Sequence, residues 1–111
     1  MACGVVLGES WSGALADQVQ YVSDGVGTAD LMKNGSGGVT LFAFDVGQSL
    51  PESTAPFDAM VTVLEGQAEV TVEGEKHCVK AGEAVLIPSH RPHALSAPER
   101  VKIALTLLRV S

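Results

Sequence analysis

Three histidines are the residues of this chain best suited to metal binding or acid–base chemistry. His90 and His93 stand three residues apart across a proline in the segment SHRPH, and His77 lies in GEKHCVK. On a helix that spacing would place both imidazoles on one face, but the strand and turn expected here leave their convergence open. We interpret His90 as an exposed turn residue. We interpret His77 as a half-buried structural residue, because its strand parity matches that of Val79.

The two cysteines give neither a zinc site nor a disulfide framework. Cys3 and Cys78 lie far apart in the sequence, and neither belongs to a CxxC pair. A structural zinc site usually needs four ligands at short, characteristic spacings. We therefore interpret both as reduced thiols and predict that Cys78 is a small hydrophobic residue of the core.

Composition and charge narrow the classes of function. The 111 residues are 46% hydrophobic and 18% charged, as expected of a folded domain. The formal net charge of -6, with seven scattered Lys and Arg residues, provides no basic surface, so we expect no nucleic-acid partner. The apolar runs fall short of the roughly 20 residues of a membrane-spanning helix. Because MACGVVLGES also has no basic n-region of a signal peptide, we expect no membrane partner and a cytoplasmic location.

Short apolar runs, separated by glycine or proline about every eight to twelve residues, predict an all-β fold. The predicted strands span residues 39–45, 59–64, 68–73, 77–80, 84–88, 93–96 and 101–109. We expect one domain, with an N-terminal strap at residues 1–37 and a barrel at residues 38–111. The segment SWSGALADQVQYV is compatible with a short helix or an irregular strap, and its Trp11 and Tyr21 are expected to cover one end of the core.

Two of the predicted strands are apolar at almost every position. VKIALTLLRV and AMVTVL lack the alternation of a sheet that faces water on one side. Such strands are buried on both faces, either within a barrel wall or under a second subunit. We therefore predict a homodimer.

The spacing of glycine, proline and histidine resembles both signature motifs of the cupins, a family of small β-barrels. The anchors that match are Gly47 and Gly66 in the first motif and Gly82, Pro88 and His93 in the second. The phrases VLEGQAEVTVEG and VKAGEAVLIPSHRPHAL also resemble single-domain bacterial cupins, and the resemblance covers about residues 38–108. It implies a double-stranded β-helix, which is a jelly-roll-like barrel, with frequent dimerisation and a pocket at the barrel centre. It implies no particular activity, because one fold hosts many functions.

The resemblance also locates the positions that hold a metal ion in metal-binding cupins. Two histidines and a glutamate come from the first motif, and a third histidine comes from the second. The residues at those positions here are Ser53, Ala55, Ala59 and His93. Only His93 is a good ligand for a first-row transition metal. The resemblance therefore implies a degenerate metal site, and we expect no cofactor.

Neighbouring side chains leave a rebuilt metal site open as an alternative. Glu52 and Asp58 are each adjacent to a lost ligand position, but successive strand residues point to opposite faces, so a bulge would be needed. If a divalent transition metal binds, its expected ligands are His93 with Glu52, Asp58, His77 or His90. Otherwise we interpret Asp58 as a turn residue that bonds local backbone.

Strand parity predicts the lining of the barrel centre. The predicted pocket residues are Ser53, Ala55, Phe57, Ala59, Val61, His93 and Leu95. One hydroxyl and one imidazole in an apolar wall suit a small, weakly polar molecule that is hydrogen-bonded to His93. The leading hypothesis is a metal-free homodimeric cupin that binds an unknown small molecule at this place.

Two other functions remain open. The first is an enzyme, either an isomerase or epimerase or a dioxygenase-like protein, that uses His93 with a rebuilt metal site or with no metal. The second is a non-catalytic dimeric interaction module. The volume of the pocket separates these functions, because a cavity of roughly a few hundred Å³ favours ligand binding and a filled barrel favours the module.

Overall fold

The structure, a computed structural model, describes residues 10–110 of the chain. Within this range, segments of alternating apolar residues, separated by glycine turns, form nine β-strands. The strands are β1 Val26–Asn34, β2 Gly37–Phe44, β3 Ser49–Ser53, β4 Phe57–Glu65, β5 Gln67–Val72, β6 Glu75–Lys80, β7 Ala84–Ile87, β8 His93–Ser96 and β9 Val101–Arg109. A short 3-10 helix, Leu15–Gln18, precedes β1. Between residues 10 and 110, no helix has the length and apolar character needed to cross a membrane.

The strands form two antiparallel sheets that face each other. The five-stranded sheet has the order β1-β2-β9-β4-β7, and the four-stranded sheet has the order β3-β8-β5-β6. Gly66 and Gly74, with φ of 80° and 82°, reverse the chain between β4, β5 and β6, as predicted. A residue without Cβ adopts this left-handed conformation at little cost. The prediction of an all-β, jelly-roll-like barrel is confirmed.

Strands β1 and β3 are not among the strands that the sequence predicts. Both lie at a sheet edge, where one side of the strand has no partner and the pattern of burial is weak. β3 reads SLPES, and its proline is tolerated because an edge strand does not need every backbone N–H. β1 pairs with β2 from Val26↔Phe44 to Asn34↔Gly37. The segment described above as a strap therefore contains a strand of the barrel.

The hydrophobic core lies between the two sheets. Its largest fully buried side chains include Phe44, Val63, Val70, Val101 and Ile103. Inward and outward positions alternate along β4, where the inward residues are buried and Met60 is 37% exposed. The larger sheet thus has one face in the core and one outer face that needs a separate cover.

The part of the strap before β1, residues 10–25, covers one half of that outer face; this part is called the strap from here on. Val19 and Tyr21 pack there with Leu41, Ala43 and Ala104. Leu41 and Ala43 are fully buried and Ala104 is 6% exposed, although all three lie on the side of the sheet that faces away from the core. The first part of β9 is therefore buried on both faces within one chain, by the core on one side and by the strap on the other.

Polar contacts hold the strap in place. The Tyr21 hydroxyl donates a hydrogen bond of 2.7 Å to Glu65 Oε2, and Lys102 Nζ donates one of 2.6 Å to Ala16 O. The Arg100 guanidinium carbon and Lys102 Nζ lie 4.9 and 5.0 Å from the centre of the Tyr21 ring. Burial, followed by the bond to Glu65, raises the pKa of the Tyr21 hydroxyl well above its ordinary value. Tyr21 therefore remains a neutral hydrogen-bond donor at physiological pH.

Asp45 joins the chain before β1 to the loop before β9. Its Oδ2 accepts the Asp24 N–H at 2.8 Å, and its Oδ1 accepts the Val46 N–H at 3.0 Å and Arg100 Nε at 2.9 Å. The backbone N–H of Asp24, and after it the Arg100 side chain, lower the pKa of the Asp45 carboxyl. The carboxylate is the form that the fold requires.

The stability of the protein should depend on pH through the ionisation of the Asp45 carboxyl. A depressed carboxyl pKa adds stability above the ordinary value of about 4, and this stability is lost as the pH falls through the folded-state pKa. We expect Asp45→Asn to lower the thermal midpoint near neutral pH, and its difference from wild type to shrink below about pH 4. Melts followed by circular dichroism measure both, with Asp17→Asn as a control at an exposed carboxylate. A difference that does not change with pH would contradict the assignment.

Candidate functional site

A small cavity lies between the two sheets at the centre of the barrel. Its volume is about 60 Å³, and Val61, Val70, Leu95 and Ile103 form part of its apolar wall. Ser53 and His93 supply its hydroxyl and imidazole groups. Ligand pockets for drug-sized molecules span roughly 300–1,000 Å³. The cavity therefore has room for a few water molecules or for a molecule of a few heavy atoms.

His93 begins β8 and lies opposite Ser53 of β3 and Val72 of β5. Its Nδ1 is 3.0 Å from the backbone oxygen of Arg91. A carbonyl oxygen only accepts hydrogen bonds, so in the neutral ring this contact assigns the proton to Nδ1 and leaves Nε2 as an acceptor. A molecule in the cavity would therefore meet an imidazole acceptor and the Ser53 hydroxyl.

Four of the seven residues predicted for the pocket line the cavity, namely Ser53, Val61, His93 and Leu95. Ala55, Phe57 and Ala59 do not line it. Phe57 and Ala59 lie on the same inner face of β4 as Val61, as the parity predicts, but they lie further along the strand, beyond the end of the cavity. Ala59 is a core residue opposite Ile87 and Leu107, and Phe57 lies opposite Arg109 at the start of β4.

Sequence reasoning missed several lining residues. Leu50, Ile103 and Leu105 also border the cavity. The alternation of Val101, Ile103 and Leu105 along β9 carries that signal, but the outward residues of β9 are nearly as apolar and conceal it.

The other candidate ligands lie apart from His93 or face solvent. Glu52 is exposed, and His90 is an exposed turn residue with φ of 62°, at the position where the cupin motif has a glycine. The side chain of His77 is 39% exposed, and its Nε2 lies 3.4 Å from Glu75 Oε1. Within the described residues, no three His, Cys, Asp or Glu side chains come together as metal ligands.

The donor set at the barrel centre does not fit the metal ion that metal-binding cupins hold. Ser53 and His93 are the two residues among the four ligand positions that carry a donor atom, and a neutral hydroxyl binds borderline cations weakly. Their neighbours in the cavity wall are apolar. This chemistry gives one strong ligand where a stable site needs at least three.

Asp58 fastens the turn that leads into β8. It lies in β4, and its Oδ1 accepts the Ser89 N–H at 2.9 Å, while the His90 N–H donates to Ala55 O at 2.9 Å. The interpretation of Asp58 as a turn residue bonded to local backbone is wrong, because its partner lies 31 residues further along the chain. Asp58 thus holds the second-motif turn against β4.

Removal of this bond should destabilise the fold. We expect Asp58→Ala to lower the free energy of unfolding by about 1 kcal/mol, because the Ser89 N–H loses its acceptor. Urea unfolding followed by fluorescence measures the change. Glu52→Ala is the matched control and should leave the midpoint unchanged, because this exposed carboxylate has no hydrogen bond or ion pair with any other residue from 10 to 110. Equal effects of the two substitutions would contradict the role of Asp58.

Cys78 corrects a second prediction. It is exposed on β6, an edge strand, whereas Val79 beside it is 4% exposed. Successive residues of a strand face opposite sides, so burial of Val79 turns the Cys78 thiol to solvent. The prediction that Cys78 belongs to the core is wrong.

The half of the outer face that the strap leaves uncovered is mostly apolar across the five-stranded sheet. We call this surface the open face; its residues are Met32, Val39, Asp58, Met60, Leu86, Thr106 and Leu108. Met32, Val39, Thr106, Met60 and Leu86 are successive partners across the five strands. Met32 is 63% exposed and Leu86 is 71% exposed, in contrast to the fully buried Leu41 under the strap. The open face is therefore a largely apolar surface in contact with solvent, with the Asp58 carboxylate beside Leu108.

Comparisons with known proteins agree with this geometry. A sequence model of the Cupin domain family matches residues 40–108. A conserved protein of unknown function from Streptococcus pyogenes is 31% identical, with a TM-score of 0.87, over 93% of this chain and 90% of that protein. A cupin 2 conserved barrel domain protein from Leptotrichia buccalis is 34% identical, with a TM-score of 0.82, over 86% of this chain and 46% of that protein.

A further solved structure supports the fold alone. A cupin superfamily protein from Desulfitobacterium hafniense is 23% identical, with a TM-score of 0.86, over 94% of this chain and 95% of that protein. Among curated proteins, none matches this chain. The extent of the family match and the identity to the streptococcal protein lead to one conclusion: this chain is a member of the cupin family.

Proposed function

We propose that this protein is a metal-free, non-catalytic cupin that acts as a homodimeric module and associates through the open face. The open face is the observation that carries the proposal. Large apolar patches are uncommon on monomers and mark surfaces of interaction. The cavity of about 60 Å³ adds support, because the barrel has little room for a substrate.

The other half of the same sheet face supports an apolar cover. Where the strap lies, Leu41 and Ala104 are at most 6% exposed, whereas Met60 and Leu108 on the open face are 37% and 62% exposed. The two halves belong to the same strands, with the strap as the cover on one of them. A second protein surface would complete the burial of β4 and β9.

Charge favours a second copy of this chain as the partner. Each copy has a formal net charge of -6, so two copies repel each other unless they meet at a surface with few charges. Asp58 is the one ionisable residue among the seven of the open face, and its Oδ1 is hydrogen-bonded to the Ser89 N–H, so the face has few charges. Such a surface is able to pair with itself about a two-fold axis, which is the commonest symmetry of homo-oligomers.

The oligomeric state tests this proposal. Multi-angle light scattering of the wild type should give twice the 11.5 kDa chain mass, with dissociation on dilution. We expect Leu86→Glu to shift the protein toward monomer, because it places a charge in the interface. Val46→Glu adds the same charge at a residue that is 59% exposed outside the open face, and it should remain dimeric. A wild type that is monomeric at all concentrations, or equal effects of both substitutions, would rule out the proposal.

A second candidate function rests on His93 and Ser53. The imidazole acceptor and the hydroxyl in the cavity wall suit a very small uncharged molecule with a hydrogen-bond donor. The volume of about 60 Å³ is well below the roughly few hundred Å³ expected of a ligand-binding barrel, so this candidate has less support than the dimeric module. An isomerase or epimerase would also need a second acid–base group near His93, and Ser53 is a weak one.

Metal analysis of protein purified without chelators or a histidine tag tests the metal-free proposal. We expect substoichiometric iron, manganese, nickel, copper and zinc, with the same values for wild type and His93→Ala, because one imidazole binds these ions weakly. Stoichiometric metal that is lost from His93→Ala would overturn the proposal. Native mass spectrometry of the same two samples tests the second candidate, which expects a small organic molecule bound to wild type and absent from the variant.

A further inference from the structure

A groove larger than the barrel cavity lies at the end of the five-stranded sheet, beside the hairpin between β1 and β2. Its volume is about 250 Å³, in comparison with about 60 Å³ for the cavity. We call it the rim groove, and its main lining residues are Lys33, Gly38, Thr40, Phe57, Leu107 and Arg109. It lies outside the barrel centre and shares no lining residue with the cavity there.

The rim groove continues the inner face of the sheet past the end of the core. Leu105 lines the cavity, and Leu107, the next inward residue of β9, lines the groove. Lys33, Gly38 and Leu107 are successive partners across β1, β2 and β9, so the middle strand has no side chain between the outer two. A Cβ on Gly38 would lie 2.5 Å from Met32 O, so the close backbone approach also requires glycine.

Two of the residues that line the rim groove, Lys33 and Arg109, have positively charged side chains without a carboxylate partner in the described part of the chain. Arg91 pairs with Glu73 at 3.0 Å and Arg100 pairs with Asp45 at 2.9 Å. Neither Lys33 nor Arg109 forms an ion pair within residues 10–110. Two cationic side chains that line the same groove without an ion pair attract an anion.

The Arg109 side chain is held in a defined orientation. Its Nε donates to Gly35 O at 3.1 Å, and its guanidinium carbon lies 5.7 Å from the centre of the Phe57 ring. These two contacts leave the terminal Nη groups without a partner among the described residues. A guanidinium positioned in this way presents paired N–H donors to a carboxylate.

One acidic residue limits where an anion lies. The Thr40 hydroxyl donates to Asp30 Oδ1 at 2.8 Å, which puts a negative charge next to the Thr40 end of the groove. An anion is therefore repelled from that end and is favoured between Lys33 and Arg109. Phe57 and Leu107 provide an apolar wall beside that place.

From these observations we infer that the rim groove binds a small aromatic carboxylate. Its carboxylate contacts Lys33 and Arg109, and its ring lies against Phe57 and Leu107. A volume of about 250 Å³ suits a molecule with one ring, since drug-sized ligands occupy roughly 300–1,000 Å³. The groove and the open face lie on opposite faces of the same sheet, so the inference does not depend on the proposed dimer.

Benzoate is the probe for this site. Isothermal titration at low salt should give saturable binding of benzoate to the wild type, weakened at high salt by screening. Benzamide has the same ring without the charge and should bind at least about tenfold more weakly, and inorganic phosphate, which has charge without a ring, should also bind more weakly. Phosphate binding as tight as that of benzoate would overturn the assignment of an aromatic carboxylate.

Matched lysine substitutions separate a local site from the effect of overall charge. Lys33→Met should weaken benzoate binding at least about fivefold. Lys80→Met, at an exposed lysine of β6 outside the groove, removes the same charge and should change the affinity less than about twofold. Arg109→Lys keeps the charge but loses the guanidinium, and it should weaken binding without unfolding the protein, as a thermal melt checks. No saturable binding of benzoate, or equal losses in the two lysine variants, would overturn the inference.

Discussion

Burial of the first half of β9 on both faces is the constraint on which the rest of the structure depends. Val101, Lys102, Ile103 and Ala104 are at most 7% exposed, although alternate residues of a strand point to opposite sides. The inward pair forms part of the core with the four-stranded sheet. The outward pair needs a second cover, and Lys102 also needs an acceptor for its ammonium group. The strap supplies both through Ala16 O and the Tyr21 ring, so its path is fixed by the chemistry of β9.

The same constraint explains why the protein has two unlike outer surfaces. The polar anchors of the strap, which include Glu65 and Lys102, lie at one end of the five-stranded sheet, and β1 starts only after the strap has crossed that end. The row that runs from Met32 to Leu86 lies beyond this cover. Apolarity of β4 and β9 therefore has two causes in one chain. Burial by the strap accounts for the apolar residues in the first half of β9. Burial by a partner would account for the apolar residues of the open face.

Sequence reasoning succeeded for the faces of the central strands and failed for edge strands and for positions along a strand. The hairpin glycines and the central strands were predicted because alternation and positive φ are local properties. Ser53 and His93 were both assigned correctly to the cavity wall, whereas Phe57 lies on the predicted inner face but beyond the cavity, because parity fixes the face of a strand and not the position along it. Cys78 shows that a correct signal was available, since His77 and Val79 on one face require Cys78 on the other. Edge strands β1 and β3 have half-covered, mixed sequences, and their pairing is decided by tertiary contacts.

The barrel cavity and the rim groove differ in their electrostatics, and they therefore suit different ligands. The wall of the cavity at the barrel centre is mostly apolar and offers one hydroxyl and one imidazole, so a charged guest would lose part of its hydration without an opposite charge to replace it. At the rim, solvent screens charges more strongly, and neither Arg109 nor Lys33 forms an ion pair within residues 10–110. In a cupin without a complete set of ligands at its centre, the favourable place for a charged small molecule therefore moves from the barrel axis to the end of the sheet. The rim groove depends on the bare Gly37–Gly38 backbone at the start of β2 and on the Phe57 and Arg109 pair, features that the metal-ligand positions of the motifs do not encode.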